Sequence, residues 1–272
     1  MTSNKKMSLW GKMYWCLFFS FMYVPIVVLM VFSFNESKSR SLFTGFTFKW
    51  YKQLFQNEMI LKSFAVSIVI ALVSSILVTI IGTAAAVGIN SLKKWQRSVI
   101  MNISYMPIIN PEIITGVSLM LLFVVFKNIT ELKVFGIPTL LIAHITFNLP
   151  IVIFSVMPKL RQMDIHLYEA ALDLGCNPRQ AFFKVVLPEI MPGIMSGFLM
   201  AITYSIDDFI ISYFTSGTVQ TLPISIYSMT RKKVSPEINA LSTIIFVVIL
   251  AVVLLNGLRE SKMEKRLSKK DF

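Results

Sequence analysis

Long runs of apolar residues alternate with short polar connections along the whole chain. A bilayer core about 30 Å thick requires about 20 residues of helix, and runs of that length occupy residues 13–34, 63–89, 98–126, 137–156, 190–214 and 238–258. The pattern therefore predicts an all-α membrane protein with six transmembrane helices. Prolines and a carboxylate interrupt the third run, and Asp207 and Asp208 interrupt the fifth.

Composition and charge agree with this architecture and leave no room for a separate catalytic domain. Hydrophobic residues make up 55% of the 272 positions and charged residues 15%, whereas soluble chains carry about a quarter charged residues. The net charge of +12 is spread over short loops and a basic C-terminal tail, which favours contact with anionic lipid over nucleic acid. We divide the chain into a first helix with its external segment (1–62), a membrane domain (63–258) and a tail (259–272).

Topology follows from the distribution of Lys and Arg. With six spans and both termini cytoplasmic, the inner segments hold more of the 26 basic residues than the outer ones, as the positive-inside rule requires. The first run is longer than a signal-peptide core and lacks a cleavage site, so we expect a permanent helix. External residues 35–62 are rich in aromatics and predict a short amphipathic helix at the interface. Residues 215–237 predict a short helix or loop at the outer mouth.

The only sizeable amphipathic stretch lies at residues 164–192, between the fourth and fifth runs. Capping and helix-ending residues divide it into two short helices, 165–174 and 178–186, the second ending before a proline. The residues responsible are Asp164, Gly175, Asn177, Pro178 and Pro188. Two helices with a tight bend would form a docking element at the membrane surface. A solvated loop that happens to be helical is the alternative.

Polar and small residues inside the spans indicate helix packing or a polar path. Glu112 follows the proline-rich break of the third run, and irregular backbone at membrane depth needs protein or a water-filled cavity to satisfy it. Glu112 therefore either lines a path or bonds to a neighbouring helix at a plain proline kink. His144 has no partner at ligand spacing, so we expect a helix-to-helix hydrogen bond and no metal site. The small residues of the second run predict a helix buried in the bundle, and Cys16 and Cys176 predict no disulfide.

The fifth run carries adjacent carboxylates, Asp207 and Asp208, which must face protein or water. Because neighbours on a helix point about 100° apart, one can line a cavity while the other pairs with an adjacent helix. Tyr204 and Asp208 are four residues apart and share a helix face, and a carboxylate beside an aromatic ring suits an organic cation. Solvated positions near the outer end of the span are the alternative.

The amphipathic stretch resembles the EAA loop of the permease subunits of binding-protein-dependent ABC importers. Glu169, Ala170 and Ala171 are followed at matching spacings by Gly175 and by Leu187 and Pro188, with Val185 where isoleucine is usual. The resemblance implies a coupling helix that docks on a cytoplasmic ATPase. Its coupling residues would be Glu169, Ala170, Ala171, Gly175, Leu187 and Pro188.

Further segments, among them HITFNLP and SIDDFIISYFTSG, look like the second permease subunit of spermidine/putrescine importers. That resemblance implies a heterodimer with a sister permease, two copies of an ATPase and an extracytoplasmic polyamine-binding protein, in the cytoplasmic (inner) membrane. The chain has no Walker A pattern, so we expect a transport subunit and not an enzyme, with ATP and Mg²⁺ bound by the ATPase and no cofactor of its own. Asp207, Asp208, Tyr204 and Glu112 would line an acidic path for the polyamine.

Other functions stay open at this point. The same scaffold serves permeases for iron, sulfate and other solutes, which makes another small solute the nearest alternative. An intramembrane aspartyl hydrolase uses carboxylates that face each other from different helices, whereas Asp207 and Asp208 are consecutive. A receptor or structural scaffold would need no coupling loop.

Overall fold

The computed structural model describes residues 8–38, 42–131, 134–232, 236–248 and 250–251, which are helical apart from loops and one isolated bridge, Asn35 to Phe46. The helices are α1 Leu9–Phe32, α2 Lys49–Gln56, α3 Glu58–Asn90, α4 Lys94–Ile109, α5 Glu112–Thr130, α6 Ile137–Gln162, α7 Ile165–Asp173, α8 Pro178–Ala181, α9 Leu187–Asp207, α10 Ile210–Thr215, α11 Leu222–Lys232 and α12 Pro236–Val248. Within the described ranges, five helices are long and apolar enough to cross a membrane. The chain forms two compact units, Met59–Ser225 and a unit built from the chain ends.

Helix α3 packs through a stripe of small residues. Its buried positions recur every three or four residues, as one helix face requires, and the small ones are Ser63, Ser67, Ala71, Ser74, Ser75, Gly82 and Ala86. Small side chains let helices approach closely in lipid. The predicted burial is confirmed for this face of α3, whereas its other face, with Val69 and Ile80, is exposed. At Gly82 an added Cβ would lie 2.7 Å from Cγ1 of Val152 on α6, so α3 and α6 are in close contact there.

Helices α6 and α9 form the centre of the larger unit. Gly193, Gly197 and Ala201 follow one another at four-residue spacing along α9, and all are buried. A Cβ on Gly193 would lie 2.9 Å from the backbone oxygen of Ser155, and one on Gly197 would lie 3.3 Å from Cα of Val152. The backbones of α6 and α9 are therefore in direct contact, which only very small residues permit.

The third apolar run, counted as one span, is two helices, and the break lies at Pro111, among the prolines that were predicted to interrupt the run. α4 ends and α5 begins on either side of Asn110, whose backbone is extended, and Pro111. A residue before proline is disfavoured in the helical conformation, and proline has no N–H to donate. Pro107, by contrast, lies inside α4 without ending it. Only α5 from this run is long enough to span a membrane in the described structure.

The second helix of the amphipathic stretch does not stop before Pro188, so this prediction was wrong. Pro178–Asp207 is one continuous helix, and a π-helical turn, Phe182–Val186, precedes the proline. The N–H of Leu187 donates to the carbonyl of Phe182, five residues back. This wider turn accommodates the missing donor and the bulky ring that proline brings to a helix interior. The loop is thus joined directly to α9.

The last two apolar runs also differ from their predicted bounds. α9 ends at Asp207, Asp208 leaves the helical conformation, and the short α10 follows. α12 covers the start of the sixth run, and residues 252–258 lie outside the described residues. The count of six spans and the side on which the termini lie remain predictions.

The unit built from the chain ends contains the first span and a short amphipathic helix. The apolar window of α1 has no buried residue, as suits a helix surrounded by lipid or another membrane subunit. In α2, Trp50 and Leu54 are buried, and the indole N–H of Trp50 donates to the carbonyl of Asn35 at 2.7 Å. The predicted short helix in residues 35–62 is therefore confirmed, and α11 confirms the one in residues 215–237.

Candidate functional site

A cavity of about 240 Å³ lies in the larger unit beside the break between α4 and α5. Its walls come from α4, α5, α6, α9 and α10. The lining residues are Pro107, Ile108, Asn110, Glu112, Thr115, Phe147, Ile151, Tyr204 and Ile211. Mostly apolar walls with a few polar groups are typical of a site for a small ligand.

The helix break brings Glu112 into this cavity. Pro111 occupies the position before α5, no side chain caps that helix, and Glu112 lies in its first turn, where a carboxylate interacts favourably with the helix dipole. Tyr204 of α9 and Phe147 of α6 contribute aromatic rings. Glu112 and Tyr204 were predicted from separate spans, and the structure places both at one cavity.

Asp207 and Asp208 diverge, and neither is among the residues that line this cavity. Asp207 is exposed, whereas Asp208 is 9% exposed. The backbone of Asp208 is extended, with ψ of 117°, so Asp208 and Tyr204 do not share a helix face. That expectation was wrong because α-helical geometry ends at Asp207.

Asp208 caps the helix that follows it. Its Oδ1 accepts the N–H of Ile211 at 3.2 Å, and its Oδ2 accepts the N–H and the hydroxyl of Ser212, both at 2.7 Å. The first N–H groups of a helix have no partner within the helix, and a carboxylate in this position satisfies them. Both oxygens of the buried carboxyl group therefore have hydrogen-bond donors.

His144 joins this cap to neighbouring helices. Its side chain is 1% exposed, Nε2 lies 3.0 Å from Oγ of Ser212 and 3.6 Å from Oδ2 of Asp208, and Nδ1 bonds to the hydroxyl of Ser205. Oγ of Ser205 lies 3.3 Å from Oγ of Ser74 on α3. The predicted helix-to-helix hydrogen bonding of His144 is confirmed. We call Ser74, His144, Ser205, Asp208 and Ser212 the polar cluster.

Gly175 makes the bend in the loop at residues 164–192. Its φ is +87°, its N–H donates to the carbonyl of Leu172, and the N–H of Cys176 donates to that of Ala171. This is the Schellman arrangement, which favours glycine because a Cβ is strained in left-handed backbone. Nothing lies within 4 Å of the place that a Cβ would occupy, so backbone conformation and not packing requires glycine here.

The loop exposes large apolar side chains and the carboxylate of Glu169. Leu174 is 87% exposed and Phe183 64%, and Glu169 is exposed, with its carboxylate 3.1 Å from Nδ1 of His166. Large apolar side chains exposed on one loop are typical of a protein contact. The other predicted coupling residues are Ala170 and Pro188, which are exposed, Leu187, which is half-buried, and Ala171, which is buried.

Sequence reasoning missed Phe147, Ser205 and Ser212. Phe147 follows His144 by three residues and could have been placed on the same helix face. The two serines gave no usable pattern, because the break at Asp208 changes the direction in which each one points.

Known proteins resemble the chain over most of its length. Residues 78–261 match the family model described as binding-protein-dependent transport system inner membrane component. The putrescine transport system permease protein PotI of Escherichia coli K12 is 38% identical over 232 residues, which cover 84% of this chain and 82% of PotI. The spermidine/putrescine transport system permease protein PotC of the same strain is 35% identical over 241 residues, 88% of this chain and 89% of PotC.

A solved structure shares the fold. A chain in the crystal structure of a bacterial alginate ABC transporter, in complex with an alginate pentasaccharide-bound periplasmic protein, superimposes with a TM-score of 0.70. The superposition covers 91% of both chains at 16% sequence identity.

Fold and site together define a multi-pass membrane protein of the transport class, and its curated relatives are transport components rather than enzymes. The chain belongs to the family of binding-protein-dependent transport system inner membrane components, the permeases of ABC importers.

Proposed function

We propose that the chain is a permease subunit of an ATP-driven importer that carries polyamines, such as putrescine and spermidine, across the cytoplasmic (inner) membrane. One observation carries the substrate class: relatives named for putrescine and for spermidine/putrescine transport match 84% and 88% of this chain at 38% and 35% identity.

The cavity supports the same class of substrate. A polyamine is a chain of methylene groups that carries several ammonium groups. The carboxylate of Glu112 can pair with one ammonium group, and the rings of Tyr204 and Phe147 offer cation–π contact and an apolar surface for the methylene groups. Asp207, which is exposed, adds negative charge at the end of α9. Asp208, the fourth predicted path residue, has a different place, considered below.

The loop at residues 164–192 would transmit the ATPase cycle. Glu169 and the exposed Leu174 and Phe183 form the surface that docks on the ATPase, and Gly175 fixes the bend that presents it. Pro178–Asp207 runs without interruption from this loop to Tyr204 at the cavity, so a movement of the loop reaches the cavity wall. A rigid element of this kind suits alternating access, in which the cavity opens to one side at a time.

The assembly that this function requires has further chains. A sister permease would complete the membrane part, two copies of an ATPase would bind ATP and Mg²⁺, and an extracytoplasmic binding protein would deliver the polyamine. This chain would bind no cofactor itself.

Uptake by the reconstituted complex tests the proposal. Proteoliposomes with this permease, its sister permease, the ATPase and the binding protein should accumulate labelled spermidine only with ATP, and putrescine should compete. ATP hydrolysis stimulated by the binding protein without uptake of either polyamine would remove the polyamine assignment and leave an importer of another solute.

Glu112 provides a direct test of the cavity. We expect Glu112→Gln to lower the initial rate of spermidine uptake by about tenfold, because a charge-assisted contact is lost. Glu131→Gln is the matched control, since Glu131 ends the same helix away from the cavity. Equal rates for the two variants would contradict a contact between Glu112 and the substrate.

A further inference from the structure

The polar cluster lies directly behind the wall of the cavity. Ser205 follows Tyr204 in the chain, and Ser212 follows Ile211, and both Tyr204 and Ile211 line the cavity. The ring of His144 makes an edge contact with the ring of Phe147, a third lining residue, with centroids 5.3 Å apart. The wall formed by α6, α9 and α10 is therefore held from behind by one set of hydrogen bonds.

The hydrogen bonds of the cluster run in one direction. Ser212 donates its hydroxyl proton to Asp208, so its oxygen accepts from Nε2–H of His144 at 3.0 Å. With the ring proton on Nε2, Nδ1 accepts the hydroxyl proton of Ser205. The donors thus lead from α9 through α6 to α10 and end on Asp208. A buried network in which every member is satisfied specifies one arrangement of the helices that it joins.

Both oxygens of Asp208 are already engaged. Oδ1 accepts one N–H, and Oδ2 accepts an N–H and a hydroxyl with His144 nearby. A substrate ammonium group would have to displace these donors and leave N–H groups of α10 unpaired, which is costly in a buried site.

We propose that His144, Ser205, Ser212 and Asp208 are positioning residues for polyamine transport: they set the break between α9 and α10 and thereby the place of Tyr204 and Ile211 in the cavity wall. None of them touches the substrate. This inference rests on the proposed function and reassigns Asp208 from lining the path to holding its wall.

A double-mutant cycle tests action through the wall. Ser212→Ala removes one hydroxyl, and we expect it to lower spermidine uptake by the complete complex by about tenfold. In a Tyr204→Ala background the same change should lower uptake by less than about twofold, because the group that is positioned is already missing. The same factor in both backgrounds would overturn the proposal, since it would mean that Ser212 acts independently of Tyr204. Ser212→Thr keeps the hydroxyl and should restore most of the uptake.

Thr139→Ala is the matched control. Thr139 is buried on α6 and donates to the carbonyl of Thr215 at the end of α10, at 2.8 Å, so it joins the same two helices away from the cavity. We expect uptake to stay within about twofold of the unmodified complex. A loss equal to that of Ser212→Ala would mean that any buried bond between α6 and α10 serves, and would overturn the special role of the cluster.

Asp208→Asn separates positioning from contact. If Asp208 positions the wall, spermidine and putrescine uptake should fall by the same factor. A larger loss for spermidine, which carries more positive charge, would show a direct contact and overturn the proposal.

Cysteine labelling needs no substrate, so it tests the positioning role separately from the proposed function. In complexes with Cys16→Ser and Cys176→Ser, a cysteine introduced by Tyr204→Cys can be labelled with a maleimide. We expect Ser212→Ala to change the labelling rate by about tenfold and Thr139→Ala to leave it unchanged. Unchanged labelling with Ser212→Ala would overturn the positioning role. A labelling change without polyamine uptake by the unmodified complex would reject the substrate but keep the positioning role of the cluster.

Discussion

Two helix breaks border the cavity, and they have different structural causes. Between α4 and α5 the backbone itself ends the helix, since Pro111 removes a donor and no side chain caps α5. Between α9 and α10 the chain has no proline, and the carboxylate of Asp208 takes the free N–H groups of the next helix. The first break has its cause in the backbone, whereas the second depends on a buried side chain that accepts hydrogen bonds from the following helix and lies 3.6 Å from His144 on α6.

This difference decides how each break should respond to change. The first break depends on the backbone around Pro111, although a proline alone is not sufficient, since Pro107 lies inside α4. A break held by a buried carboxylate depends on hydrogen bonds and on close packing, and it should fail when either is removed.

Gly116 lies where α5 and α10, the helices that follow the two breaks, pack against each other. A larger residue there should have the largest effect on stability. It lies on α5, and an added Cβ would be 3.4 Å from Cα of Ile211 and 3.0 Å from the ring of Phe214, both on α10. Gly116→Leu should force α5 and α10 apart and cost about 3 kcal/mol. Melting of the purified complex and its yield on size exclusion measure this. Gly116→Ala should be milder, and a fully assembled complex with leucine would contradict the packing.

Asp208→Ala should have the second largest effect on stability. It leaves the N–H groups of Ile211 and Ser212 buried without a partner, at a cost of about 2–3 kcal/mol. Asp207→Ala is a close control, because the neighbouring carboxylate is exposed and should change stability by less than about 0.5 kcal/mol. Thermal unfolding of the two variants side by side checks the difference, and equal melting temperatures would mean that the cap contributes nothing.

Gly175 marks a third helix break, which lies in the loop outside the spans. Its cause is left-handed backbone, whereas the break at Pro111 follows from a missing N–H donor. Gly175→Ala places a Cβ in left-handed backbone and should destabilise the loop by about 1 kcal/mol. Gly88→Ala offers the same open space around the new Cβ within α3 and should be neutral or stabilising. Co-purification of the ATPase with each variant measures the effect. Undiminished co-purification and uptake with Gly175→Val would refute a role in coupling.

Pro111→Ala should have the smallest effect on stability, less than about 1 kcal/mol, because a helical residue can replace the proline without a clash. It restores an N–H and permits α4 and α5 to join. Spin labels placed at Trp95 on α4 and at Lys127 on α5 would then lie about 48 Å apart, the distance along one straight helix between these positions. A distance distribution identical to that of the unmodified protein would show that packing, and not Pro111, keeps the break.

Sequence alone predicted the features that have local causes. Apolar length indicated the five described helices that are long and apolar enough to cross a membrane, although not all of their bounds. Small residues indicated the buried face of α3, and Asp164, Gly175 and Asn177 indicated the ends of the loop helices. It placed Pro188 at a helix end, because a proline rule cannot anticipate a π-helical turn that absorbs it.

The inner wall of the site was harder to predict. A shared face for Tyr204 and Asp208 assumed a regular helix. Asp208 instead caps α10, and the contact between Ser212 of this cap and His144 exists only in the tertiary structure. The seam at Gly193 and Gly197 was readable as a small-residue motif, although its partner on α6 was not.

The contact of Gly193 and Gly197 with α6 divides the continuous helix Pro178–Asp207 into two arms. Pro178–Asp207 is a rod about 45 Å long, and Gly193 and Gly197 are the points where it rests against the backbone of α6. About 22 Å of the rod extends from this fulcrum to the loop, and about 15 Å extends to Asp207. For a rigid rotation about this contact, the two lengths mean that a displacement of the loop end corresponds to an opposite displacement of about two-thirds the amplitude at the cavity end. The positions of Gly193 and Gly197 along the helix therefore set the ratio between displacement at the loop end and displacement at the cavity end.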